Sequence, residues 1–152
     1  MTISKEVLDK KTIVFDMDGT IANLYGVDNW LNYLINSDPY PYAVAKPLVN
    51  MNLLARLLNK LSKQGYLINI ISWTSKNGTP EYNEVVKNAK IKWLKTHLKS
   101  VNFDNIYVVP YGTPKHTISS GILFDDEIGN REKWGEGAFD ESQIFTVLKA
   151  IA

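Results

Sequence analysis

Cysteine is absent from all 152 residues, which excludes disulfide cross-links and thiolate metal sites. Long apolar runs are absent too. No stretch approaches the roughly 20 residues that cross a bilayer, and Met1-Thr2-Ile3-Ser4-Lys5-Glu6 lacks the apolar centre of a signal peptide. Both absences predict a cytoplasmic-type protein with no membrane partner. Nor is there an excess of one charge: 17 Lys and Arg against 16 Asp and Glu leave a net charge of +1. That balance argues against broad electrostatic capture of nucleic acid or of a membrane. Internal repeats, low-complexity tracts and long linkers are missing as well. The length suits one domain, residues 1–152, able to bury roughly 70% of its unfolded surface.

What is present alternates between strand and helix patterns. Lys11 to Phe15 is a short apolar, β-branched run, as in a buried strand of a parallel sheet. Val27 to Asn36 carries Val27, Trp30, Leu31, Leu34 and Ile35 at helical spacing. Asp38-Pro39-Tyr40-Pro41-Tyr42 should break any helix, because proline lacks a donor and restricts its predecessor. A second helix is expected over Leu48 to Gln64, with Leu53, Leu54, Leu57, Leu58 and Leu61 on one face and Gly65 as its stop. Tyr66 to Ile71 reads as a buried strand, and Glu81 to Leu98 as a long helix turning Val85, Ala89, Trp93 and Leu94 to the core. Asn105 to Val109 and Gly121 to Phe124 are two further strands, and Gly135 to Phe139 a short edge strand. Asp140 caps a last helix that buries Ile144, Val147, Leu148 and Ile151. The alternation predicts an α/β fold, a three-layer sandwich around a mostly parallel sheet. The segment at about 21–47 is too short for a domain and reads as a small helical cap insertion over the carboxyl ends of the strands.

Four elements along this pattern carry chemistry. First, Asp16-Met17-Asp18-Gly19-Thr20 leaves the first strand at its carboxyl end, where open α/β sheets place their ligands. A glycine there lets the backbone curl without a Cβ clash. Second, Ser72 follows the Leu67–Ile71 strand, with Trp73, Thr74 and Ser75 behind it. A hydroxyl beside exposed backbone N–H groups suits a phosphoryl oxygen. Third, Lys115 stands in the loop Tyr111-Gly112-Thr113-Pro114-Lys115-His116. Fourth, Leu123-Phe124-Asp125-Asp126-Glu127 is another apolar strand ending in carboxylates. Strand-end carboxylates suit a hard, oxygen-preferring cation such as Mg²⁺.

This order resembles the haloacid dehalogenase superfamily of phosphohydrolases, over Thr12 to Phe139. The resemblance implies Asp16 as the nucleophile that forms an aspartyl-phosphate, and Asp18 as general acid and then base. It implies Thr20 as the residue that orients the second aspartate, Ser72 as the phosphoryl-binding hydroxyl with Thr74 as substitute if the strand runs on, and Trp73 beside the phosphate. Lys115 would hold Asp16 and the phosphoryl group together. Mg²⁺ would take a side-chain oxygen of Asp16, the backbone carbonyl of Asp18, and Asp125, with Asp126 beside it. Glu127, Asn130 and Arg131 are read as trimming either the metal's surroundings or the pocket rim, with Arg131 equally a surface residue.

The stretch through Lys92-Trp93-Leu94 to Lys115 and Asp125-Asp126 is similar to the 5′(3′)-deoxyribonucleotidase branch, which implies a nucleotide as the small phosphorylated substrate. The short insertion and Trp73 depart from that branch. Polynucleotide 3′-phosphatases are similar here too, which makes a nucleic-acid end the alternative partner. A third alternative is a fold kept for binding without catalysis. Tyr40 and Tyr42 are expected to stack a base. Lys87, Lys90, Lys92, Lys95 and Lys99 would serve a nucleic-acid end as a local basic patch, but at helical spacing they are expected instead to form a solvated face of the long helix.

Overall fold

A computed structural model describes residues 2–152. In chain order the elements are α1 (Lys5–Asp9), β1 (Thr12–Phe15), β2 (Ala22–Asn23), α2 (Trp30–Ile35), α3 (Tyr40–Val44), β3 (Lys46–Pro47), α4 (Met51–Lys63), β4 (Leu67–Trp73), α5 (Pro80–His97), β5 (Asn105–Val109), β6 (Ile122–Phe124), α6 (Ile128–Trp134), β7 (Ala138–Phe139) and α7 (Ile144–Ile151). Five strands form one sheet in the order β5-β4-β1-β6-β7, and every pairing in it is parallel. Both faces are covered, so all four residues of β1 are buried, which is why the strand reads as a continuous apolar run.

The two faces are filled unequally. Ile13, Phe15, Ile68, Ile70, Ile122 and Phe124 meet Leu54, Leu58 and Leu61 of α4, Trp93 and Leu94 of α5, and Ile144, Val147 and Leu148 of α7. The opposite face, Val14, Ile71 and Leu123, is closed by Ile118 and by Trp134 of α6. The α/β three-layer sandwich expected from the alternation is the observed architecture. Among the described residues no helix is long and apolar enough to cross a membrane.

The chain runs from β1 to β4 and β5 on one side, then returns to β6 and β7 on the other. That reversal opens a crevice beyond the carboxyl end of β1, the usual place for a ligand in such sheets. The antiparallel ribbon of β2 and β3 closes the base of the insertion. Three contacts fix the insertion to α5. Leu24 and Tyr42 pack on Tyr82 and Val86, the Tyr82 hydroxyl donates to Asp38 O at 2.9 Å, and Trp93 Nε1 donates to Ala45 O at 2.7 Å.

Several local expectations need correction. Asp38 to Tyr42 does not break a helix. Pro39 stands at the N-cap and Pro41 in the first turn of α3, where a helix has no use for the missing N–H. The helix expected from Val27 starts only at Trp30, because Asn29 takes a left-handed φ of 60°. β4 runs past Ile71, as Ser72 and Trp73 pair with Val108 and Val109. On α5 the inward face is Tyr82, Val86, Lys90, Trp93 and Leu94; Val85 is exposed. Neither α1 nor α6 was expected. Asp140 caps a 3₁₀ turn, Glu141–Gln143, that leads into α7.

Candidate active site

The loop after β1 is built to bring carboxylates together. The Asp16 N–H donates to Phe124 O at 2.9 Å, carrying the ladder one residue beyond β1. The chain then wraps the Met17 carbonyl, which accepts from the N–H groups of Thr20, Ile21 and Ala22 at 3.1, 3.0 and 2.9 Å. The Met17 side chain anchors this wrap in the core. Gly19 has a φ of +83°, and a Cβ there would overlap the Asp126 carboxylate. Glycine is needed on both counts.

Lys115 ties the ends of β1 and β6 together. Its ammonium lies 2.8 Å from Asp16 Oδ1 and 2.7 Å from Asp125 Oδ2, and the side chain is almost wholly buried. Asp125 is fully buried. Its Oδ1 accepts from the Glu127 N–H at 3.0 Å and its Oδ2 from Asn130 Nδ2 at 3.1 Å, while Arg131 Nη1 donates to its carbonyl at 3.0 Å. Glu127, Asn130 and Arg131 therefore brace Asp125. Thr20 does not touch Asp18. Its hydroxyl accepts from the Asp126 N–H at 3.1 Å and donates toward Asp16 Oδ2 at 3.0 Å, so it orients Asp16 and Asp126.

Asp16, Asp125 and Asp126 each offer an oxygen, all within 4.8 Å of one another. An all-carboxylate set suits Mg²⁺ and not a soft metal. The charges agree with that fit. Burial, then the neighbouring Asp16, raises Asp125 to about 6 and Asp126 to about 8. Burial works against Asp16 too, but the Lys115 charge and hydrogen bond outweigh it and hold its carboxyl low. Burial opposes the Lys115 ammonium, yet Asp16 and Asp125 keep its pKa above the usual lysine range. One lysine thus pairs with two of the three crowded carboxylates, Asp16 and Asp125.

A raised folded-state pKa means that the folded protein binds more protons than the unfolded chain, whose carboxyls titrate near 3.8. Stability of the metal-free protein should therefore fall as pH rises from about 4 to about 8. A divalent cation displaces those protons. The gain in Tm produced by Mg²⁺ should grow between pH 6 and pH 8, the span of the two raised values. Thermal melts with and without Mg²⁺ measure this; a gain equal or larger at pH 6 would contradict the site.

The Asp18 side chain points away from this cluster, to Lys90. Lys90 Nζ lies 2.8 Å from Asp18 Oδ2, 2.7 Å from Ser72 Oγ and 2.7 Å from Trp73 O. Three acceptors use all three ammonium protons. Lys90 is 1% exposed, so it does not belong to a solvated face with Lys92, Lys95 and Lys99. It is a residue of this site that the sequence pattern was not expected to supply. The signal was available: Val86, Lys90, Trp93 and Leu94 share one helical face, and a lysine on an apolar seam needs a buried partner. Burial raises the Asp18 pKa against the pull of Lys90.

With Lys90 on its hydroxyl, Ser72 is fully buried and does not reach the cavity. Thr74 does. β4 continues two residues beyond Ile71, so the position facing the cavity shifts to Thr74, whose buried Oγ1 has no partner among the described residues. The cavity is about 540 Å³, with Asp16, Asp18, Thr74 and Lys115 at one end and Tyr25, Trp30, Trp73 and Tyr111 among its walls. Tyr25 and Trp30 meet edge to face at 4.9 Å. Burial and the nearby Asp18, Asp126 and Asp16 keep the Tyr25 hydroxyl protonated, with its pKa above the usual tyrosine range. The base-stacking pair expected from the insertion is not assembled. Tyr40 packs on Tyr33 at 5.0 Å, outside the cavity. Tyr42 lines the cavity but is buried, with its ring 5.0 Å from Lys90 Nζ.

No family model matches this chain, and no curated protein matches it.

Proposed function

We propose that this protein is a Mg²⁺-dependent phosphoric monoester hydrolase of the haloacid dehalogenase type, working through an aspartyl-phosphate on Asp16. The observation that carries this reading is Lys115 bridging Asp16 and Asp125 at the crevice between β1 and β6. Asp16 attacks phosphorus, and the leaving oxygen departs with a proton from Asp18. Asp18 then takes a proton from the water that attacks the aspartyl-phosphate, releasing inorganic phosphate and restoring Asp16. The raised Asp18 pKa supports its acid role. Thr74 suits a phosphoryl oxygen through its unpartnered hydroxyl. Lys115 both holds Asp16 in place and offsets the charge of the incoming phosphate. Mg²⁺, held by Asp16, Asp125 and Asp126, would neutralise phosphoryl charge and polarise the phosphorus toward attack.

A small ester, most simply a nucleotide, is favoured over a nucleic-acid end. Lys87, Lys92, Lys95 and Lys99 of the α5 region line no part of the cavity, so these lysines lay no basic track that leads a strand into it. Replacing Asp18 with Asn tests the acid. Leaving-group release in a single turnover, which reads the first step alone, should fall about 10²–10⁴-fold for an alkyl phosphate and much less for 4-nitrophenyl phosphate, whose leaving group needs no proton. Equal losses on both esters would remove Asp18 from the acid role.

A further inference from the structure

A row of rings leads outward from the catalytic end of the cavity. Lys115 Nζ is 5.3 Å from the Trp73 ring centroid. The Trp73 and Tyr111 rings are 5.0 Å apart, inclined at 59°, and Lys76 Nζ is 5.8 Å from the Tyr111 centroid. Trp73 is the first ring beside the phosphoryl site, and Tyr111 the next one out.

Trp73 is fixed in place, because its Nε1 donates to Thr113 O at 2.9 Å. The loop that presents Tyr111 is closed on itself: the N–H and hydroxyl of Thr113 both donate to Pro110 O, at 3.1 and 2.6 Å. Tyr111 is nonetheless 50% exposed while lining the cavity. A ring held rigidly with half its surface uncovered, on a cavity wall, is prepared to be covered by something else.

The α2 residues lining the same cavity are also apolar and uncovered, Leu31 at 52% and Ile35 at 69%. Away from the carboxylates the cavity wall is mostly apolar, with Ser37, Ser75, Lys76 and Asn77 among its polar members. A polyhydroxylated leaving group would lose its water there for little in return. A flat ring would cover apolar surface on both of its faces.

We infer that Tyr111, seated on Trp73, is the residue that selects for a leaving group carrying a planar ring. This rests on the phosphomonoesterase reading. It also moves ring recognition from the insertion to the loops at the ends of β4 and β5. The residue is specificity-determining and takes no part in the chemistry.

The test compares adenosine 5′-monophosphate with ribose 5-phosphate, the same ester without the ring. Rates with Mg²⁺ are measured for wild type, Tyr111→Ala and Tyr111→Phe, and binding of both esters is measured by calorimetry. Wild type should prefer the nucleotide. Tyr111→Ala should lose roughly 5- to 150-fold on the nucleotide, the span of one base–aromatic stack, and stay within about twofold on ribose 5-phosphate. Tyr111→Phe, which keeps the ring, should behave as wild type. Equal treatment of the two esters by wild type, or equal losses in Tyr111→Ala, would overturn the inference. Failure of the hydrolase reading shows separately, as no turnover of either ester or of 4-nitrophenyl phosphate. Calorimetry then decides alone: a nucleotide preference lost in Tyr111→Ala upholds the ring subsite, while equal binding, or none, overturns it.

Discussion

Asp16→Asn should abolish turnover, by about 10⁴-fold or more, as expected when a covalent nucleophile is removed. The fold should survive. Asn has nearly the same shape, and the backbone N–H of residue 16 keeps its bond to Phe124 O. Lys115 retains Asp125 as a partner at 2.7 Å, so no buried cation is left alone. The substitution also removes a negative charge that raises both Asp125 and Asp126. Metal-free stability should therefore hold or rise, even as activity disappears. Rates and thermal melts on the same preparation separate these effects. Turnover within tenfold of wild type would remove Asp16 from the chemistry; a collapse of stability would make it a structural residue instead.

Lys90→Met should have the largest effect on stability. The change leaves Asp18, Ser72 Oγ and Trp73 O without the donor that all three share. Removing one partner of a buried pair costs about 3–5 kcal/mol. The Asp18 side chain keeps 18% exposure and can turn to water, so the loss should fall toward the lower end of that range. Asp18→Asn removes the stranded charge, so the double variant should lose less than the sum of the single losses. Urea unfolding of the two single variants and the double measures this coupling. Losses that add to within about 0.5 kcal/mol would mean that Lys90 and Asp18 do not act as a pair.

Most of the fold was legible because parallel strands buried on both faces write themselves as apolar runs, as Thr12–Phe15 and Ile122–Phe124 do. The carboxylates were legible for a related reason: each cluster stands directly after such a run. The misreadings have local physical causes. Phasing the α5 helix on Val85 and Ala89 turned it by one position and placed Lys90 in solvent. Ending β4 at Ile71 picked Ser72 in place of Thr74, because a strand end depends on its neighbour, here β5, and not on its own residues. Pro39 and Pro41 looked like helix breakers because nothing local marks the first turn of a helix, the one place where proline is harmless. Tyr111 carried no signal at all, since its position beside Trp73 depends on how two loops from different strands meet.

The proposed chemistry requires a covalent phosphoryl group on Asp16, and trapping it is the most direct measurement. The protein is mixed with Mg²⁺ and 4-nitrophenyl phosphate, quenched in acid during turnover, and treated with borohydride, which reduces an acyl phosphate to the alcohol. Peptide mass spectrometry should then find homoserine in place of aspartate at residue 16. The conversion should require both substrate and Mg²⁺, and should be absent from Asp16→Asn. Steady turnover with residue 16 unmodified, or with the label on another carboxylate, would contradict it.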